Sequence, residues 1–381
     1  MFGVNIQDYK NLDKMNPAIC FFIRYKESGK INEGGGQCSD ANLSVLRKLF
    51  GENHVEVYSI HENSDKKSTL PELVAIATHF LKGYYYGLSR RKVEEIVQIA
   101  KGYSHVFIDR SIFGIIAKEL KQNDYQGKII TFFHNVEVLY FKAKIAEWKP
   151  WRSIVVGCAN KNDSFSCYYS DKIIALNKRD GGELEKRYHR KTDIYSPITF
   201  KDVYHKAEYP SEISSNIPVC LFLGTYFPMN VQGILWFVKE VLPNVTIRLQ
   251  IVGKGMDALK SSLPENSQIE VFSDVPELCP YIEKADFMLL PIFKGSGMKV
   301  KTGESLMYGK NIIGTNEAFE GYELDYNRVG ALCNTKEEFI DSLNYFSQNP
   351  QPRFNTYSRE IFLQKYTDKE RLNCFRKIFE N

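Results

Sequence analysis

The chain has 381 residues, 43% of them hydrophobic and 25% charged, which predicts two domains with ordinary globular cores. No apolar run reaches the roughly 18 residues of a membrane span, and "MFGVNIQDYKNLDK" carries charges where a signal peptide is apolar, so a cytoplasmic location is expected. The net charge of +4 divides into 30 Lys+Arg against 23 Asp+Glu over residues 1–198 (+7) and 20 against 23 beyond (−3), which disfavours nucleic acid and leaves an anionic surface or a chance excess as readings of the basic half.

In chain order, short apolar runs alternate with longer amphipathic ones, the pattern of βαβ units and parallel sheets. The first half reads as strands "AICFFIRY", "HVEVYSI", "HVFIDR", "KIITFFH" and "KIIALN", with helices such as "DANLSVLRKLFG" and "RRKVEEIVQIAKGY" between them. "YSPITFKDVYHKAEYPSEISSNIP" lacks periodicity, holds three prolines and reads as a linker. Strands then resume as "VCLFLGT", "IRLQIVG", "IEVFSD", "FMLLPIF" and "NIIGT", with helices "VQGILWFVKEVLP", "VPELCPYIEKA" and "KTGESLMYGK". The prediction is α/β, with two doubly wound Rossmann-like domains facing across a cleft. The first spans 1–198 and the second 199–361, and a terminal helix at about 362–381 packs back on the first. The 8 cysteines form no C-x-x-C pair, and several sit in apolar runs, which points to buried thiols and against a zinc site.

Three loops carry candidate chemistry, because ligands of such sheets bind beyond the carboxyl ends of the strands. In "NEGGGQCSDANLSVLRKL" a helix is expected to start near Ser39-Asp40. The preceding Gly34, Gly35 and Gly36 make either a phosphate-binding turn at its N-terminus or a plain surface turn. In "TFFHNVEVLYF" the strand delivers His134, Asn135 and Glu137, where His134 suits a sugar hydroxyl or proton transfer.

The third loop is "FKGSGMKVKTGESLMYGK". It resembles G-x-x-x-x-G-K-[ST], but Val300 stands where the last glycine belongs. It follows the fourth strand of its domain, and no apolar run ending in Asp stands out as a Walker-type partner, so a triphosphate loop is disfavoured. Gly295-Ser296-Gly297, Lys299, Lys301 and a helix N-terminus suit a diphosphate instead, with Gly309 stopping the helix. Glu304 either caps the helix or accepts ribose hydroxyls.

"FLGTYFPMNVQGILWFVKEVLP", "LQIVGKGM", "VFSDVPELCPYIEKADFMLLPIFKGSGMKVKTGESLMYGKNIIGT" and "HNVE" resemble the GT-B-fold glycosyltransferases of group 1 (type GT4). The resemblance implies a retaining transfer of sugar from a nucleotide-sugar donor to a saccharide or lipid-linked acceptor, in surface polysaccharide assembly. It places the donor mainly in the second domain. Glu304 matches the second Glu of the family's E-x7-E motif, which binds ribose; the first falls at Ser296, a departure that passes its task to the amides of Gly295 to Met298. The G-R-x-x-x-x-K-G clamp is also missing from Gly224 onward, which leaves Lys299 and Lys301 as replacements, beside Thr302. His134 matches the histidine that meets the donor sugar, with Asn135 and Glu137 on the acceptor side. Gly35 and Gly36 match the loop at the donor phosphate, and Val275 the backbone at the base.

Similar enzymes need no bound metal or other cofactor, in keeping with the lack of a D-x-D motif, and close their domains to exclude water. "HFLKGYYYGLSRRKVEE" and "YFKAKIAEWKPWRS" mix bases with aromatics, which suits either peripheral contact with an anionic membrane or solvated helix faces. Two other readings are a silent partner subunit that binds a nucleotide sugar and a GT-B nucleotide-sugar 2-epimerase.

Overall fold

The computed structural model describes residues 19–26, 34–61, 70–145, 149, 151–204, 217–295 and 297–380. The chain divides into two units: Met1–Pro197 with Asp368–Asn381, and Ile198–Thr367.

The first unit contains β1 (Cys20–Lys26), α1 (Gly34–Phe50), β2 (Val55–His61), α2 (Leu70–Lys82), α3 (Arg90–Ala100), β3 (His105–Ile108), α4 (Gly114–Gln122) and β4 (Lys128–Phe133). It continues with α5 (Glu137–Lys144), α6 (Arg152–Tyr169), β5 (Lys172–Ala175), α7 (Lys178–Tyr188) and β6 (Ile194–Tyr195). The strands lie in the order β2-β1-β3-β4-β5-β6, all parallel. Their runs are apolar without alternation because helices cover both faces, and Phe21, Phe22, Phe107, Phe132 and Phe133 are buried. The strand order reverses between β1 and β3, so the crevice beyond their carboxyl ends is where a ligand of this sheet belongs.

The second unit repeats the plan with β7 (Val219–Leu223), α8 (Pro228–Glu240), β8 (Arg248–Gly253), β9 (Ile269–Ser273), α9 (Cys279–Lys284), β10 (Phe287–Leu290) and α10 (Val300–Met307). Then follow β11 (Asn311–Gly314), α11 (Asn316–Phe319), α12 (Tyr326–Val329), β12 (Gly330–Leu332), α13 (Lys336–Gln348) and α14 (Thr356–Lys365). The parallel order is β12-β11-β10-β7-β8-β9, with the reversal between β7 and β10. Gly233 of α8 lies so close under the loop leaving β10 that a Cβ there would stand 1.9 Å from the Pro291 carbonyl oxygen. Only glycine permits that approach, which fixes the loop's height over the sheet.

All ten strands read from the sequence are present; β6 and β12, of 2 and 3 residues, were not anticipated. The terminal stretch holds two helices rather than one. After α14 the chain turns at Tyr366-Thr367, and α15 (Asp368–Glu380) belongs to the first unit. There Phe375 meets Phe107 and Phe132 at ring distances of 5.5 and 6.2 Å, and Phe379 meets Phe50 at 4.9 Å. All 8 cysteines are free, and all but Cys279 are buried. Among the described residues no helix is long and apolar enough to cross a membrane.

Candidate functional site

In the first unit the helix after β1 begins at Gly34, so Gly35 and Gly36 form its first turn rather than a loop ahead of Ser39-Asp40. Three glycines are poor helix formers, at about 1 kcal/mol each relative to alanine. The cost has a local reason at Gly35, where the Arg110 guanidinium packs 2.5 Å from any Cβ that would be added. Because α1 starts early, it turns Cys38, Ser39 and Asn42 inward; all three are buried.

They meet Asp109, which ends the apolar run of β3. The fully buried carboxylate accepts hydrogen bonds from the Ser39 hydroxyl and the Asn42 amide (2.6 Å), and pairs with His134 Nε2 at 3.2 Å. The Asp at the end of this apolar strand serves a histidine of its own unit and is no partner for the loop after β10. Burial alone would lower the His134 pKa; the facing Cys38 and Asp109 overcome it and hold the imidazolium up to about 9. Burial would raise Cys38, yet Arg371 and His134 bring the thiol down to about 7. Asp109 is itself held below the usual range: burial opposes its charge, but His134 and the two donors outweigh that.

Asn135 lies half-buried just after His134. Glu137 is buried at the start of α5, and burial raises its pKa. Its neighbour is Asp163 of α6, which burial and Glu137 push up to about 8. Asp163 accepts from Ser111 Oγ at 2.7 Å and the Val138 amide at 2.9 Å, and so anchors α5 to α6. A hydrophobic stretch following a polar residue does not say which side of a helix faces the interior.

In the second unit the loop after β10 leads into α10, whose last turn ends at Gly309 with φ +60°. Ser296 lies outside the described residues. Around it the turn is tied down. Lys299 Nζ donates to Glu317 of α11 at 2.6 Å and to the Gly297 carbonyl at 2.7 Å, while Tyr322 donates to the Lys299 carbonyl at 2.7 Å. Gly297 has φ +63°, and a Cβ on Gly295 would press within 2.7 Å of the Lys299 stem. Lys299 is therefore partly spent inside the protein, as a strap on the turn. Thr302 is buried, and its hydroxyl donates to the Ala318 carbonyl at 2.6 Å. Met298 is buried, its sulfur accepting from the Ile198 amide at 3.4 Å.

Lys301 and Glu304 remain, one turn apart on α10. Lys301 reaches back over β7: its ammonium sits 4.7 Å from the Phe222 ring centroid and donates to Asn230 Oδ1 at 2.8 Å, near the start of α8. Asn230 in turn donates to the Thr225 carbonyl at 2.9 Å, beside Gly224 at the end of β7. The ammonium thus lies at the strand-order reversal. Burial pulls Lys301 down to about 7, with Glu304 resisting and Lys299 adding to the fall. Burial pushes Glu304 up to about 7 against the pull of Lys301. A cation and a carboxylate held at this cost, at a sheet's ligand end, mark a functional site more readily than a structural one. Val275 is half-buried after β9, at the same end of the sheet.

Residues 217–349 match the family model "Glycosyl transferases group 1". The match lies within the second unit. The two parallel α/β units together have the GT-B fold. At 12% identity, Anabaena HepE in complex with UDP and glucose aligns over 94% of this chain and 98% of its own, with a TM-score of 0.61. The sucrose-phosphate synthase of Thermosynechococcus elongatus aligns over 96% and 98%, also at 12% identity, with a TM-score of 0.67. An uncharacterized 44.6 kDa protein in the cps region of Klebsiella pneumoniae is 23% identical over 317 residues, 77% of each chain.

Sequence reasoning missed Asp109, Asn42, Arg371, Asn230 and Glu317. Only Asp109 left a local signal, as the polar residue ending the run "HVFI".

Proposed function

We propose that the protein is a retaining glycosyltransferase, moving a sugar from a nucleotide-sugar donor to a saccharide or lipid-linked saccharide in polysaccharide assembly. The observation that carries this reading is the half-buried Lys301–Glu304 pair at the strand-order reversal of the second unit, within the stretch that matches the group 1 model. The cleavage of the bond between sugar and diphosphate leaves negative charge on the departing phosphate and positive charge on the sugar. Lys301 neutralises the former from a site with little water, where a charge counts for most. The amides of Gly295 and Gly297 and the start of α10 add donors, with Lys299 fixing their geometry. Glu304 accepts hydrogen bonds from the ribose; in the first unit His134, charged and held by Asp109, is the group suited to a sugar hydroxyl. No side chain is assigned as a covalent nucleophile, so the departing phosphate assists attack from its own face. The reading places the charge stabilisation in Lys301 without a bound metal. HepE, with UDP and glucose, and the cps-region relative support the donor class and the polysaccharide setting.

A thermal-shift panel of UDP-, GDP-, dTDP- and CMP-sugars tests this reading. One of them should raise the melting temperature, and Glu304→Ala should abolish that response; silence towards all of them would end the proposal.

Peripheral membrane contact belongs to the same reading. Trp151 is 52% exposed with the Lys149 ammonium 5.2 Å from its ring, and Tyr86 is exposed, while Tyr84 and Tyr85 pack against the core. Residues 146–148 and 150 of that stretch lie outside the described ones. Flotation with anionic liposomes at low salt should carry the protein upward, and a protein left at the bottom would remove this part.

A further inference from the structure

We infer that Arg371, on the last helix, is a positioning residue for His134, acting through Asn42 and Asp109. Arg371 is fully buried, and its guanidinium distributes its donors over the first unit. Nη1 donates to Asn42 Oδ1 at 2.5 Å, to the Cys38 carbonyl at 3.1 Å and towards Cys38 Sγ at 3.4 Å, and Nη2 to the Pro197 carbonyl at 3.4 Å. With its oxygen held by Arg371, the Asn42 amide has its NH2 end fixed towards Asp109, which it meets at 2.6 Å. The oriented carboxylate then takes His134 Nε2 at 3.2 Å. The groups facing His134 are Cys38 of α1, Asp109 at the end of β3 and Glu137 of α5, with the Phe132 ring edge-on at 5.2 Å.

A buried guanidinium is costly unless each donor is used. Helix α15 could be anchored by Phe375 and Phe379 alone, as both are buried aromatic contacts. The charge adds something packing cannot: it sets the orientation of Asn42, and it favours the thiolate of Cys38, which in turn favours the imidazolium of His134. The carboxyl-terminal helix thereby reaches the histidine without touching it.

The test uses the full chain with Arg371→Met and Asn42→Ala, reading the His134 imidazole titration by NMR beside donor turnover. The activity arm rests on the proposed transfer reaction; the titration does not, so the two can fail separately. We expect the His134 midpoint to fall by about one pH unit in each variant, and kcat to fall about tenfold with KM little changed. A purely structural anchor would lower thermal stability and leave the midpoint in place. Should Arg371→Met not fold, Asn42→Ala decides, since it leaves Arg371 its bonds to Cys38 and Pro197. An unchanged His134 midpoint in a folded variant overturns the proposal.

Discussion

Lys301→Met is expected to melt above the wild-type protein while losing donor turnover by about a hundredfold or more. Both effects have one cause: the ammonium is stored, poorly solvated, at the site where it is used. Its pKa falls from the 10.5 of a solvated lysine to about 7 in the fold, because burial disfavours the charge. A fall of that size corresponds to a limiting cost of roughly 4–5 kcal/mol. Not all of it returns on substitution, since Asn230 and Glu304 lose their partner, and a net gain of about 1–3 kcal/mol is the expectation. The sign fixes the pH window. The unfolded chain binds the proton between pH 7 and 10.5 and the folded chain does not, so the wild-type penalty is complete below 7 and vanishes towards 10.5. The advantage of the methionine variant should therefore be largest at neutral pH and below, and shrink as pH rises. Denaturant unfolding at several pH values measures it; a variant less stable at pH 7 would show that the ammonium is stabilising where it sits.

Asp109→Asn should act in the opposite direction, costing about 3–5 kcal/mol and most of the activity. The carboxylate is fully buried with three partners, Ser39, Asn42 and His134. An amide in its place presents N–H groups to Asn42 or to a histidine that burial no longer permits to be charged. His134 is raised from 6.5 to about 9, so the stability it contributes is complete below pH 6.5 and is lost as pH rises through about 9. Asp109 is lowered from 3.8, so its contribution is present above that value and lost on further acidification. The gap between wild type and variant should thus be widest between about pH 4 and 6.5, and narrow above 9. A gap that does not change across this range would mean that the pair is not ionised in the fold.

The fold was legible because buried parallel strands write themselves as unbroken apolar runs, and ten such runs have their strands. β6 and β12 are too short to carry a run. The start of α1 was misplaced because glycine propensity argues against a helix that the Arg110 contact and the inward Ser39 and Asn42 require. Lys301 and Glu304 were legible from the sequence as a basic and an acidic residue at one helix N-terminus. Their partial burial was not, because spacing gives neighbours along a helix and not the side that faces the sheet. The same limit explains Thr302 and Glu137, which turn inward. Arg371 and Asn42 are 329 positions apart, and no local pattern records their bond.

Calorimetric titration of a nucleoside diphosphate and its parent nucleoside, with the base chosen by the thermal-shift panel, tests the central assignment most directly. In the wild-type protein the diphosphate should bind much the tighter of the two. Lys301→Ala should weaken it by at least about tenfold, a loss near 1.4 kcal/mol, and leave the nucleoside unaffected. Lys299→Ala, which loosens the turn rather than removing the Lys301 charge, should weaken it less. Equal losses for diphosphate and nucleoside in Lys301→Ala would contradict the assignment of Lys301 to the diphosphate.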